Sequence, residues 1–77
     1  MVLEIITPDK VIFNGEVSLV QLPGRDGLFE ILKNHAPLIA SLKQGKAKVE
    51  VNGENQFFDL NGGIVEVRNN KVLVLSE

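Results

Sequence analysis

No stretch of this chain sustains the 3.6-residue apolar repeat of an amphipathic helix. Its Val, Ile, Leu and Phe residues fall in short runs, cut at close and regular intervals by Gly, Asn, Asp and Pro. That punctuation predicts an antiparallel all-β sandwich or barrel. The clearest run is Lys46-Ala47-Lys48-Val49-Glu50-Val51, whose period of two puts Ala47, Val49 and Val51 on one face and charge on the other. Asn52-Gly53 follows it and predicts a hairpin, because a type I′ turn needs positive φ at both central residues. The return strand is Asn55 to Leu60, and Asn61-Gly62-Gly63 is expected to turn the chain into a strand from Ile64 to Arg68. Asn69-Asn70 predicts a second tight turn before a last strand, Lys71 to Leu75.

Upstream, Val2 to Thr7 reads as a strand closed by Pro8-Asp9. Lys10 to Phe13 reads as a short one ended by Asn14-Gly15, and Val17 to Leu22 as a third, followed by the loop Pro23-Gly24-Arg25-Asp26-Gly27. The nearest approach to a helix, Ile31 to Leu42, contains Pro37, which removes a backbone donor and breaks the turn.

The 77 residues make one domain, 1–77, without cysteine to cross-link it or bind a metal as thiolate. All four aromatic residues are Phe, so the core is expected to be chiefly Val, Ile and Leu. A net charge of -2 supplies no counterion-release term for nucleic acid. The chain has no basic amphipathic helix for a membrane surface, and Glu4 interrupts the apolar start Met1-Val2-Leu3. It is expected to be soluble, unprocessed and in a reducing compartment, with no direct lipid insertion.

Catalysis needs a constellation of groups. The one histidine, His35, could join only Ser18, Ser41 or the terminal Ser76, and no Gly-x-Ser-x-Gly elbow is present. It reads better as a turn residue bonded to backbone. No second histidine stands at zinc-ligand spacing, so neither a metal nor a cofactor is expected. Gly45-Lys46 lacks the rest of a phosphate loop, and Gly24 to Gly27 has no following helix to hold an anion. Lys43, Lys46 and Lys48 read as a strand edge guarded by charge. Asp9-Lys10-Val11 faintly resembles the modifiable lysine of lipoyl-type carriers, which leaves a carrier or a free-standing binding module as the alternative function.

The run Leu22-Pro23-Gly24-Arg25-Asp26-Gly27-Leu28-Phe29-Glu30-Ile31-Leu32-Lys33-Asn34-His35-Ala36-Pro37-Leu38 resembles the best-marked segment of the epsilon subunits of proton-translocating F-type ATP synthases. There a glycine-bounded loop leads into a Gly-Ile-Leu-Pro-Asn-His-Ala-Pro-Leu-like run. The frame is similar as well, in Leu3 to Pro8, Phe13 to Val17, Leu42 to Gly45, Asn61 to Val67 and Val72 to Leu75. Glu30 departs from the family's usual glycine and Lys33 from its proline. The resemblance implies a flattened sandwich of two five-stranded antiparallel sheets, followed in the usual member by a C-terminal helical hairpin that this chain does not include. If the natural subunit is this short, neither hairpin-mediated inhibition nor ATP binding is expected.

The resemblance further implies a non-catalytic central-stalk subunit that turns with the rotor, joins the gamma subunit to the c ring, and couples proton transport to ATP synthesis. It would sit peripherally at the cytoplasmic face of a bacterial inner membrane. By carry-over, Thr7, His35 and Ala40 would meet gamma, and the loop Gly24, Arg25, Asp26, Gly27 with Leu28 would approach the c ring. Pro37, Gly45, Gly62 and Gly63 are expected to be structural turns.

Overall fold

A computed structural model describes residues 1–77 as seven strands and no helix. They are β1 (Val2–Ile6), β2 (Val11–Glu16), β3 (Leu19–Gly24), β4 (Gly27–Leu32), β5 (Leu38–Val51), β6 (Glu54–Arg68) and β7 (Lys71–Ser76). One hydrogen-bonded ladder joins them in the order β2-β1-β7-β6-β5-β3-β4.

The expected sandwich is present, but the sheet count differs. β5 and β6 are 14 and 15 residues long and belong to both layers. Their first and last halves divide the ladder into a five-stranded layer, β2-β1-β7-β6-β5, and a four-stranded layer, β6-β5-β3-β4. The pairing is antiparallel throughout except between β1 and β7, which run parallel. The two layers close over a core of Leu3, Ile5, Val20, Leu22, Ile31, Ala47, Val49, Leu60, Val65, Val67, Val72 and Val74. Phe13 of β2 reaches across to Phe58 of β6, with ring centroids 5.4 Å apart.

The corner between layers lies where sequence reading placed a turn. Leu38, Ala40 and Leu42 point inward before it, and Ala47, Val49 and Val51 after it, so the inward phase of β5 changes from even to odd at Lys43-Gln44. β6 changes phase opposite, between Leu60 and Val65. The Leu42–Gly63 and Gln44–Asn61 pairs flank the change, and the strands stay paired on both sides of it. Asn61-Gly62-Gly63 is therefore a bend inside a continuous strand. Gly63 has φ 132, and a Cβ there would run into the backbone of Leu75 on β7. On the other strand, a Cβ on Gly45 would come within 2.8 Å of the Pro23 side chain. Pro23 sits where the β3–β5 register shifts, a place where a missing N–H is tolerated.

Other expectations change in detail. Asn14-Gly15 does not end β2; Asn14 pairs with Glu4 and Gly15 with Leu3 in extended backbone. The loop after β3 shrinks to Arg25-Asp26, because Gly24 pairs with Gly27. Gly27–Leu32, which carried no strand expectation, forms edge strand β4 with only Ile31 fully buried. Asn52-Gly53 and Asn69-Asn70 are two-residue turns with φ of 51, 80, 52 and 60, as type I′ geometry requires.

Gly63→Ala is expected to cost about 2 kcal/mol through backbone strain and the clash with Leu75. For a domain this size that lowers Tm by roughly 8–16 °C, measurable by thermal denaturation. An unchanged Tm would show that the corner does not depend on this glycine.

Candidate functional site

A surface built for contact should collect apolar side chains that the core does not use. Seven large hydrophobic residues are exposed: Val11, Leu28, Leu32, Ile39, Phe57, Ile64 and Leu75. Their distribution is lopsided. In the five-stranded layer the register aligns Ser41, Ile64, Leu75, Ile6 and Val11 in one row across five strands. Each is the outward neighbour of an inward residue, as Ile64 is of Val65 and Leu75 of Val74. At the ordinary strand spacing of ~4.8 Å the row is roughly 19 Å long.

The row continues past Ser41. Ile39, 71% exposed, and Leu28, 66% exposed, line one hollow with Arg25, Asp26, Phe29 and Ser41. The Arg25 amide donates to the Ser41 carbonyl at 3.0 Å, which ties the β3–β4 hairpin tip to β5. Five of the seven exposed hydrophobic residues thus form a belt running from the hairpin tip across the outer face of the larger layer.

The outer face of the smaller layer has a different character. Lys46 Nζ lies 2.7 Å from Asp59 Oδ1, both well exposed, and the Gln21 amide donates to Glu30 at 3.3 Å. Lys48 is the register partner of Phe57, and Leu19 that of Glu50. Phe57 therefore stands beside a charged neighbour, and Leu32 pairs with Leu19, whose other partner is Glu50, so the apolar groups on this face stay small and separate.

Sequence reasoning named Thr7, His35 and Ala40 as one contact face, and the structure places them differently from one another. Thr7 follows Ile6 at the belt end of β1, where its hydroxyl bonds the Lys10 backbone. His35 is exposed in the β4–β5 turn, with Nδ1 2.7 Å from the Ala36 carbonyl and its amide bonded to Leu32. That turn is pinned to the opposite end of the layer by the Asn34 amide, which donates to Asn70 Oδ1 at 2.9 Å. Ala40 pairs with Val65 and packs against the core from within, so its neighbours Ile39 and Ser41 carry the outward surface. Of the loop residues, Arg25, Asp26 and Leu28 are exposed while Gly24 is buried. Pro37 is exposed at the entry to β5, and Gly45, Gly62 and Gly63 lie at the corner. Lys10 lies in the β1–β2 turn and not at the tip of a central hairpin.

The belt residues Ile6, Val11, Ile39, Ile64 and Leu75 carried no functional expectation from sequence. Alternation alone assigns two faces to each strand; the belt exists only once the register brings five strands together. No group of three or more His, Asp or Glu side chains is placed to hold a metal ion. No helix is long and apolar enough to cross a membrane.

Comparison with known proteins agrees with this architecture. Residues 1–77 match the family model described as ATP synthase, Delta/Epsilon chain, beta-sandwich domain. The chain is 47% identical over 76 residues to the ATP synthase epsilon chain of Chlorobium limicola, covering 97% of this chain and 86% of that one. Against the Chlorobaculum tepidum epsilon chain the identity is 45% with the same coverage. The longer Desulforamulus reducens epsilon chain is 41% identical, and 57% of it is covered. Among solved structures, a chain of the Euglena gracilis mitochondrial ATP synthase superposes with TM-score 0.90 at 22% identity, covering 96% of this chain and 48% of that one. A chain from the central stalk and c-ring structure of the Tetrahymena thermophila enzyme gives 0.83 at 20% identity, with 97% and 61% covered. At these identities the structural matches show a shared fold.

Two adjacent substitutions test the inside–outside assignment. Ile64→Thr, on the outer row, is expected to change stability by no more than about 0.5 kcal/mol. Val65→Thr, one residue on, buries a hydroxyl and is expected to cost about 1–3 kcal/mol. Urea denaturation of both variants would reverse the assignment if Ile64→Thr proved the costlier.

Proposed function

The chain belongs to the ATP synthase delta/epsilon β-sandwich family, and from that membership we propose that it is a non-catalytic subunit of the central rotor. In this reading it joins the gamma subunit to the c ring, so that proton flow and ATP synthesis stay mechanically coupled. It sits beside the membrane through the complex, at the cytoplasmic face in a bacterium.

The observation that carries the reading is the belt. A mechanical joint needs broad, preformed surface on a stiff body, and affinity there comes from desolvated apolar anchors with a polar rim. Ile64, Leu75, Ile6 and Val11 supply such anchors on strands whose backbones are paired on both sides, apart from edge strand β2. We assign this row, with Thr7 at its end, to the gamma interface. Ile39 takes the place on the surface that carry-over gave to Ala40. His35, at the other end of the layer, belongs to the rim of that surface.

The hairpin tip Gly24–Leu28 is assigned to the c ring. It projects Arg25, Asp26 and Leu28 into solvent, and the Arg25–Ser41 bond fixes it to the strand that carries Ile39. A load taken at the tip would pass into β5 directly. Transmission through paired backbone needs no moving part and no titratable group.

Isothermal calorimetry with purified gamma subunit tests the assignment. The unmodified chain is expected to bind at one to one, and Ile64→Asp with Leu75→Asp to weaken binding by a factor of roughly 100 or more, the scale of losing two buried anchors. Lys48→Glu, on the charged outer face, is expected to leave it unchanged. Binding insensitive to the paired Asp substitutions would move the interface off the belt.

A further inference from the structure

Beside the apolar row runs a second one of different chemistry. Ile39, Glu66, Leu73, Glu4 and Asn14 are register partners across the same five strands. Glu66 and Glu4 therefore stand on either side of Leu73, two strand spacings apart, or roughly 9.6 Å between backbones. Both carboxylate residues are half-buried, and neither takes part in an ion pair; the two pairs in the chain are Met1–Glu16 and Lys46–Asp59. They line a hollow of about 490 Å³ that also includes Leu73, Val2, Arg68 and Lys71. Arg68 and Lys71 are partners in the following row, on the side away from the belt.

Reading outward from the belt, the face is apolar, then acidic, then basic. A partner that covers the belt also desolvates the acidic row, and Glu4 and Glu66, which form no ion pair with Arg68 or Lys71, then oppose docking. A cation would relieve that cost. The hollow offers a place for one: an apolar floor at Leu73 for a long aliphatic stem, and a carboxylate on each side for its charged end. The cations of the third row repel a second positive group, which fixes the direction from which the first can enter.

We propose that a Lys or Arg side chain of the docked gamma subunit lies over Leu73, with its charge between Glu4 and Glu66. The proposal rests on the gamma-docking reading and adds the chemistry that selects and orients the partner. The negative field of the two carboxylates raises the rate of encounter and its salt dependence, and once the pair is desolvated it also slows dissociation alongside the apolar row.

Association rates of the full chain with purified gamma subunit, measured by stopped flow from low to physiological salt, test it. Glu4→Lys with Glu66→Lys is expected to slow association by roughly tenfold at low salt and to flatten the salt dependence. Glu4→Gln with Glu66→Gln should fall between the double reversal and the unmodified chain. Circular dichroism checks that the variants fold, and Glu66→Lys alone serves if the double reversal does not. Association unchanged by reversal, in a complex still weakened roughly 100-fold by Ile64→Asp with Leu75→Asp, would overturn the proposal and leave the docking face standing. Failure of the unmodified chain to bind gamma would overturn both.

Discussion

The antiparallel pairing of β5 with β6 is the constraint on which the rest of this fold depends. These two strands are the only elements shared by both layers, and every other strand hangs from one of them, directly or through a neighbour. Their corner must bend the ladder without breaking it, which is why both strands change inward phase at the same place. Gly63 approaches the backbone of β7 and Gly45 lies under Pro23, so the corner is closed by contacts that tolerate no side chain. Without it the sheet would expose on one face the residues that now meet as a core.

The same corner shapes the outer surface. Folding the ladder over leaves two outward faces, and the chain gives them opposite characters. The smaller layer carries Lys46, Lys48, Glu50 and Asp59, suited to water. The larger carries Ile64, Leu75, Ile6 and Val11 in register, with Ile39 and Leu28 extending the line to the hairpin tip. A single exposed Leu or Phe is ordinary on a protein surface, but four neighbouring strands contributing apolar residues to one line is not. Because the belt stands on paired backbone, it is preformed, and the docking proposed for it would cost little ordering entropy. Rigidity and contact surface thus come from one sheet.

Much of this is legible in the residues alone. Asn52-Gly53 and Asn69-Asn70 fix two hairpins because few residues accept positive φ, and Ala47, Val49 and Val51 declare their inward face by alternation. Gly62-Gly63 declares a special backbone site, yet a local signal cannot separate a turn that ends a strand from a corner within one; the distinction lies in what β7 packs against it. β4 escapes notice because its outward positions Leu28 and Leu32 are apolar as well, which hides the alternation of the inward pair Phe29 and Ile31. The parallel pairing of β1 with β7 joins the two ends of the chain, and nothing near either segment encodes it. The family resemblance carries the fold and the subunit's place, while a motif match cannot say that Ala40 points inward and Ile39 outward. The belt is a property of register, which emerges only when the strands are assembled.

Methyl cross-saturation from the gamma subunit to a deuterated, methyl-labelled chain tests the central claim most directly, since it reads which side chains lie at the interface without altering any. The account predicts strong transfer to the methyl groups of Ile6, Val11, Ile39, Ile64 and Leu75, and little to Leu19 and Leu32 on the smaller layer. Transfer concentrated on Leu19 and Leu32, with the belt methyls silent, would contradict it.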